Sequence, residues 1–414
     1  MASPEERAAG INSPASPPQQ YHRNQASLED VLDLSSTVQD PLGPAQRAAA
    51  RQTFYRIVEH FEAADPYRNI ARAERAASYS RPLLVRYTYE YALSDDSRDI
   101  FLRAVFGSLD LDLDLASARS GLDFDVLAPR FNGFADHLVD NFFLPLKAST
   151  RKTPQPSPAY HSAVLRAQEG SATAHGFTGT PERLASLRWE CLVRDRHRCV
   201  ITRKFSSDEH EARFKLHGDG ARDDDGVLFS EQTPGQIEPL EVAHILPHSL
   251  MKSGKAAEMD ASRQAALAVL NMFDKGVAHT IDGVDIDRPR NALTLSTSLH
   301  KYFGAFDVYF EPAPGPSHTY RIQSFLSPGL NFTFGLPVTR TLFVTESRTI
   351  DPPSARFLAV HRAIAHILHL SGAGAYIDRL LRDMEDNYIR ADGTSALGRM
   401  VGLGLHGWTG NTVY

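Results

Sequence analysis

The chain has 414 residues, of which 42% are hydrophobic and 23% are charged, and it carries a formal net charge of −6 at pH 7. This acidic balance excludes a general electrostatic attraction to nucleic acid, so any such binding must come from a local basic surface. The two cysteines, Cys191 and Cys199, are too few for a disulfide scaffold or a four-cysteine zinc site, and they indicate a reducing compartment.

The N-terminal segment has the composition of a disordered tail. Residues 1–42 are rich in Pro, Ser, Ala and Gln, and their first half lacks the apolar core of a secretory signal. The sequence also has no apolar run of the length that crosses a membrane. We therefore expect an intracellular protein, in the nucleus or the cytoplasm, without a membrane partner.

Residues 43–146 are predicted to form a helical N-terminal region, because apolar residues recur there at the spacing of one helix face. The helical segments are predicted at 44–62, 82–93, 99–109 and 132–143. Residues 147–180 then begin with a stretch of Lys, Ser, Thr and Pro that is typical of a linker. The helical region at 43–146 contains no catalytic motif, so we expect the catalytic residues of the chain to lie after it.

A central domain is predicted over 181–312, with a solvated acidic insertion at 206–236. Its strands are predicted at 199–202 and 237–246, and its helices at 181–194, 255–275 and 294–303. A strand and helix extension over 313–390 and a flexible Gly-rich tail over 391–414 complete the chain. The extension and its approach contain predicted strands at 307–310, 320–325 and 341–345, and predicted helices at 354–370 and 375–386. These elements together predict an α+β protein.

Three polar residues stand at informative places in the central domain. His244 ends an apolar strand, Asn291 lies on a connecting loop, and His300 follows nine residues later on a predicted helix. A neutral His can act as a general base near pH 7, and a second His can bind a divalent metal. An Asn can orient the base or brace the loop without adding charge. The set can therefore converge on one metal ion and one scissile phosphate.

The segment from about 194 to 312 resembles the His-Asn-His (HNH, ββα-metal) endonucleases, in the form common in fungal genomes. The matching motif residues are Cys199, Thr202, Ala243, His244, Ile245, Pro247, Asn291, Leu293, Leu295, Leu299, His300 and Phe303. The resemblance implies a central ββα-metal module in which His244 is the general base, Asn291 is the middle Asn and His300 is a metal ligand. It also implies cleavage of DNA with a divalent cation such as Mg²⁺, Mn²⁺ or Zn²⁺.

Two positions depart from the pattern of that family. Many relatives carry a metal-ligating Asp or His immediately before the base, where this chain has Ala243. Many also carry a ligand one helical turn after the last His, where this chain has Gly304. Candidate replacement ligands are His248, Glu241 and Asp307. The alternatives that stay open are weak metal binding, His244 acting as a ligand, and a non-catalytic HNH-derived binding or scaffolding protein with a degenerate metal site.

A basic cluster precedes the first predicted strand of the central domain and continues beyond it. Its members are Arg194, Arg196, Arg198, Arg203 and Lys204, with His197 among them. If that strand lies beside the site, these side chains could contact DNA phosphates, and an ordinary solvated face is the alternative. The insertion carries acidic residues, notably 223–225 and Glu231. They either loop away from DNA or shield the basic cluster until a partner arrives.

Overall fold

A computed structural model of the chain describes residues 40–68, 78–113, 121–150, 180–251, 261–345 and 349–385. Several predictions fall outside these residues. They concern most of the tail over 1–42, most of the linker over 147–180, the start of the helix predicted at 255–275, and the tail over 391–414. The described residues form a mixed structure of helices and small sheets.

The N-terminal region consists of helices that share an aromatic core. They are α1 (Pro44–Ala63), α2 (Arg81–Glu90), α3 (Asp95–Leu109), α4 (Phe124–Leu138) and α5 (Leu144–Thr150), with a π turn at Val139–Phe143 between the last two. The ring of Phe101 meets those of Phe54 and Phe134 edge to face, with centroids 5.7 and 5.8 Å apart. Because α5 continues to Thr150, residues 147–150 are helical, although the sequence placed them in a linker.

The central region contains two antiparallel strands followed at once by a helix. Its elements are α6 (Thr180–Arg194), β1 (Phe205–Ser206), α7 (Ser207–His217), β2 (Ile237–Glu238), β3 (Leu240–His244), α8 (Ala261–Phe273), α9 (Val277–Thr280), β4 (Ala292–Ser296) and α10 (Thr297–Gly304). Strands β3 and β4 pair so that His244 lies opposite Ala292 and Leu240 lies opposite Ser296. The hydroxyl of Ser296 caps α10 by accepting the amide proton of Leu299.

Two predicted elements of this region are wrong in detail. Residues 199–202 form a tight turn rather than a strand, closed by the amide of Arg203 donating to the carbonyl of Cys199 at 2.9 Å. The helix predicted at 294–303 begins only at Thr297, because the residues before it form β4 and pair with β3. The insertion at 206–236 contains α7, none of whose residues is buried, and its acidic residues 223–225 contact the basic cluster, which is the second of the two arrangements considered for them.

The C-terminal extension packs a three-stranded antiparallel sheet against two helices. Its elements are β5 (Val308–Pro312), β6 (Thr319–Ser324), α11 (Pro328–Phe334), β7 (Val338–Thr341), α12 (Ala355–Ser371) and α13 (Ala373–Glu385), with the strands in the order β5–β6–β7. The strand predicted at 341–345 therefore ends where it was expected to start. Within the residues that the structure describes, no helix is both long and apolar enough to cross a membrane.

Helix α5 closes the space next to the end of α10. The hydroxyl of Thr150 donates to the carbonyl of Gly304 at 2.6 Å. A Cβ placed on Gly304 would lie 3.1 Å from the carbonyl oxygen of Thr150, closer than almost all real contacts of this kind. Any side chain at position 304 would therefore press on the backbone of α5. This contact gives a physical reason why position 304 does not carry a metal ligand.

The imidazole of His361 joins α12 to α10 in the core. Its ring stacks on Phe303 and Phe306, with centroids 4.0 and 4.6 Å away, and its Nε2–H donates to the carbonyl of Phe303 at 3.0 Å. Burial lowers the pKa of His361 to about 3. The ring is therefore neutral at physiological pH, and it packs as part of the core beneath the helix that carries His300.

Buried His361 should make the protein sensitive to acid. Since the pKa of an unfolded His is about 6.5, the unfolded state binds a proton below that pH while folded His361 stays neutral down to about 3. The stability that this difference provides is complete above about pH 6.5 and is lost as the pH falls. Between pH 7 and pH 5 we expect His361 to account for about 2 kcal/mol of lost unfolding free energy.

Urea unfolding at the two pH values checks this expectation. In His361→Leu the loss of stability between pH 7 and pH 5 should be smaller than in the wild type by that amount, whatever the substitution costs at pH 7. Replacement of the exposed His279 by Ala serves as the matched control and should leave the pH dependence unchanged. An acid dependence equal to that of the wild type in His361→Leu would contradict the assignment.

Candidate metal centre

His244, His248 and Asp287 converge at the end of β3. His244 is the last residue of the strand, His248 begins the 3₁₀ turn at His248–Met251, and Asp287 ends the 3₁₀ turn at Gly283–Asp287. Oδ1 of Asp287 lies 3.1 Å from Nε2 of His244 and 2.7 Å from Nδ1 of His248. Their donor atoms all lie within 4.8 Å of one another. We call these three residues the His-His-Asp cluster.

Asp287 is held in its ionised form although its side chain is only 1% exposed. Burial opposes ionisation, but the hydrogen bonds from His244 and His248 outweigh it, and the pKa of Asp287 lies well below its usual range. The second oxygen, Oδ2, accepts a hydrogen bond from Nε of Arg183 at 3.2 Å. Burial lowers the pKa of His244, which favours the neutral imidazole. The cluster thus combines a carboxylate anion with a neutral imidazole at physiological pH.

Asn291 binds together the two loops that carry the cluster. Its Oδ1 accepts the amide proton of Leu246 at 2.9 Å, and its Nδ2 donates to the carbonyls of Leu246 and Ile286, each at 2.9 Å. The residue is fully buried. One side of this clamp follows His244 and the other immediately precedes Asp287, so Asn291 fixes their separation. A direct role of Asn291 in catalysis stays a prediction.

His300 lies outside the cluster and pairs with Glu241. Its Nδ1 is 2.6 Å from a carboxylate oxygen of Glu241. Side chains of a strand alternate between its faces, so Glu241 faces α10, whereas Val242 packs against Leu187 and Cys191 of α6. Burial is the main cause of the lowered pKa of His244, and the neighbouring His248 and His300 add to it, so the imidazoles of His244 and His300 interact electrostatically.

The structure separates the residues that the sequence proposed as metal ligands. His248 joins His244, while Glu241 joins His300. Asp307 belongs to neither group and instead lines a cavity of about 160 Å³ with Lys147 and Asp378.

Sequence reasoning missed Asp287 and Arg183. Asp287 stands four residues before Asn291, and that proximity was the one local signal that could have found it.

Arg194 does not fit its predicted role in nucleic-acid binding. It is only 1% exposed, and its guanidinium is held by Asp195 and by the carbonyls of Pro289 and Ala292, at 2.7 to 2.9 Å. A group so enclosed braces the loop before β4 and cannot reach a phosphate.

Two further members of the basic cluster have local contacts of their own. The guanidinium of Arg203 lies 4.2 Å from the ring of Phe343, and the ammonium of Lys204 lies 3.8 Å from Glu238. Phosphate binding by these two residues stays a prediction.

The His-His-Asp cluster has the donor set of a divalent cation site. Two imidazole nitrogens and one carboxylate oxygen suit Zn²⁺ and other first-row metals, and Mn²⁺ or Mg²⁺ would add water ligands. Ligand atoms about 2.1 Å from a metal lie roughly 3.0–3.4 Å apart, so the observed separations of 2.7 and 3.1 Å need only a slight opening. In the free protein Nε2 of His244 faces Oδ1 of Asp287, and its buried Nδ1 has no hydrogen-bond partner among the described residues. Binding a cation through Nε2 would require the ring proton to move to Nδ1.

Removing the amide of Asn291 should destabilise the protein strongly. Asn291→Ala leaves one buried amide and two buried carbonyls without partners, which we expect to cost about 3 kcal/mol or more of unfolding free energy. Asn291→Asp keeps the acceptor oxygen but loses both donors, so it should be destabilising as well. Chemical denaturation measures both effects. Asn132→Ala, at an exposed position of α4, is the matched control, and an equal cost for Asn132 and Asn291 would refute the clamp.

Divalent metal binding should depend on Asp287 and, to a smaller degree, on Arg183. We expect calorimetric titration with Mn²⁺ or Zn²⁺ to show one site that Asp287→Asn abolishes. Arg183→Gln should weaken that site by about 10-fold to 100-fold, because a carboxylate ligand loses the hydrogen bond that orients it. Arg183→Lys should restore part of the affinity. Asp282→Asn, an exposed change of equal charge, is the control. Unchanged affinity in folded Asp287→Asn would exclude this ligand set.

The comparisons with known proteins bear on the same residues. Residues 199–311 match the family model of the HNH endonucleases. This range contains β3, β4, α10 and the whole His-His-Asp cluster, whereas Arg183 lies outside it. Separate comparisons with curated proteins and with solved structures found no match. The matched range and the cluster within it support the conclusion that the chain contains an HNH-type domain.

Proposed function

We propose that the HNH-type domain hydrolyses phosphodiester bonds in DNA with the help of a divalent cation held by the His-His-Asp cluster. The observation that carries this proposal is the position of the cluster inside the range that matches the HNH family. The motif residues, such as Cys199 and Thr202, favour the form of the domain common in fungal genomes. Both cysteines are unpaired and buried, which supports a place of action inside the cell, in the nucleus or the cytoplasm.

The residues around the cluster hold its ligand atoms in position in the absence of substrate. Arg183 holds one oxygen of Asp287, so the other oxygen stays directed at the two imidazoles. When bound, a divalent cation supplies positive charge that stabilises the transition state and the leaving oxygen of phosphodiester hydrolysis. Asn291 keeps the two contributing loops at a fixed separation, which limits the rearrangement needed on binding.

His300 is then the imidazole that we assign as the general base. Glu241 accepts the Nδ1 proton of His300, so the tautomer with its lone pair on Nε2 is favoured, and that nitrogen can take a proton from water. This assignment exchanges the two roles that the family resemblance implies for His244 and His300. It follows from the contacts of His244, whose Nε2 is directed at Asp287 within the cluster.

A non-catalytic binding or scaffolding domain is the second candidate. Two observations favour it, and they concern positions 243 and 304, where many HNH nucleases carry additional metal ligands. Ala243 is fully buried in the core, and position 304 is backed by the carbonyl of Thr150. In that case the cluster is a structural network of hydrogen bonds, and no cation binds with useful affinity.

Plasmid nicking should separate the roles of the two histidines. With Mg²⁺, Mn²⁺, Ni²⁺ or Zn²⁺ supplied in turn, we expect the wild type to nick supercoiled DNA and EDTA to stop it. His244→Ala should lose both metal binding and nicking. His300→Ala should keep metal binding and lose at least about 100-fold in rate, the usual contribution of a general base.

His279→Ala supplies the control for both variants, since His279 is exposed and lies within the matched range. Loss of metal binding in His300→Ala together with its retention in His244→Ala would restore the roles implied by the resemblance. A folded wild type that neither binds a metal nor nicks DNA would leave the scaffold as the better account.

A further inference from the structure

Three consecutive aspartates of the insertion face three consecutive basic residues beyond α6. The carboxylate of Asp223 contacts Arg198 at 2.6 Å, and that of Asp225 contacts Arg196 at 2.7 Å. Between them, Asp224 lies 2.7 Å from Nδ1 of His197. The two runs pair in antiparallel order, and Arg198 also lies 3.5 Å from Asp225. We call residues 196–198 together with Arg213 the basic strip, and residues 223–225 the acidic loop.

Arg213 completes the basic strip from α7. Its Nη2 donates to Asp224 at 2.6 Å, on the carboxylate that also contacts His197. Burial raises the pKa of Asp224, but the hydrogen bonds with His197 and Arg213 dominate and lower it to about 2. The strip therefore brings three arginines, Arg196, Arg198 and Arg213, to one acidic loop in a protein whose overall charge is negative.

The backbone beneath the strip is strained at two of its residues. Arg196 has φ of 55° and His197 has φ of 49°, in the left-handed region that glycine adopts freely. For other residues this conformation costs roughly 1 kcal/mol or more at each position. A turn that only ended α6 would be cheaper with glycine. Strained backbone of this kind clusters at functional sites, which makes the turn a candidate for one.

The three aspartates differ in what they do for the loop. Asp223 is needed for the turn itself, because its Oδ1 accepts the amide protons of Asp225 and Val227 at 2.9 and 3.0 Å, and its side chain is 2% exposed. Asp224 and Asp225 direct their carboxylates at basic side chains, with 24% and 42% of each side chain exposed. These two carboxylates can therefore be exchanged for other anions without dismantling the turn.

We propose that the basic strip is a binding surface for the sugar-phosphate backbone of DNA, and that Asp224 and Asp225 occupy it in the free protein. A carboxylate and a phosphate both offer oxygens to guanidinium groups in the same charge-assisted geometry. DNA phosphates would displace the two carboxylates and take over their partners. The proposal rests on the proposed function only in naming DNA as the ligand, and it does not require cleavage.

The decisive experiment compares two charge-matched double variants for binding to a labelled DNA duplex in EDTA, measured by fluorescence anisotropy over a range of NaCl concentrations. Asp224→Asn with Asp225→Asn should raise the affinity at least about tenfold over the wild type. Its dependence on salt should be steeper, by about one unit of slope for each further phosphate that the strip neutralises. The control, Asp219→Asn with Asp282→Asn, makes the same change of net charge at exposed positions and should change the affinity about twofold or less.

A second variant keeps the test valid if the double variant folds poorly. Arg196→Gly suits the left-handed backbone, so it should fold at least as stably as the wild type while its DNA affinity falls several-fold. Equal affinities in the two double variants, or wild-type affinity in Arg196→Gly, would overturn the proposal. The binding assay contains EDTA, so its result does not depend on cleavage. If the double variant binds DNA more tightly but does not nick DNA when a divalent metal is supplied, the proposed hydrolysis is weakened and the binding surface still stands.

Discussion

The carboxylate of Asp287 is the group on which the arrangement of the site depends. A buried carboxylate without partners is too costly to keep ionised, so its surroundings must supply hydrogen bonds and positive charge. Here they come from His244 and His248 on one oxygen and from Arg183 on the other. These partners belong to β3, to the turn after it and to α6. Folding around Asp287 therefore unites a helix outside the matched HNH range with the strand and loops inside it.

Close packing also gives a reason why positions 243 and 304, where many HNH nucleases carry further metal ligands, have no ligating side chain in this chain. Helix α5 packs so closely on the end of α10 that a side chain at position 304 would press on the backbone of Thr150, and Ala243 is fully buried in the core. Instead, the loop after β3 and the loop before β4 carry a histidine and an aspartate, and Asn291 binds the two loops to each other. The His-His-Asp cluster is thus built from residues beside β3 and before β4, and the buried amide of Asn291 joins the two loops that carry them.

Local patterns in the sequence predicted part of this arrangement. Helical periodicity found the long amphipathic helices such as α1 and α12, and the order of His244, Asn291 and His300 indicated the HNH-type domain. Residues 294–296 were misread as the start of a helix, since a short apolar segment has no period that separates strand from helix. Asp287 and Arg183 were missed because their contacts span 43 and 104 residues of chain. Such pairings depend on tertiary packing, which local sequence patterns do not predict.

The net charge of the chain and the charges of a local surface act over different distances. A net charge of −6 describes the protein seen from a distance, where salt at physiological strength screens it within about 8 Å. A DNA backbone at contact distance experiences instead the few groups beside it, and in the basic strip these include three arginines that are already paired with carboxylates. An acidic protein with a self-neutralised basic surface can remain detached from bulk nucleic acid and still bind it where phosphates compete successfully with Asp224 and Asp225. Net charge and binding surface therefore carry different information, and only the paired contacts of the folded chain reveal the second.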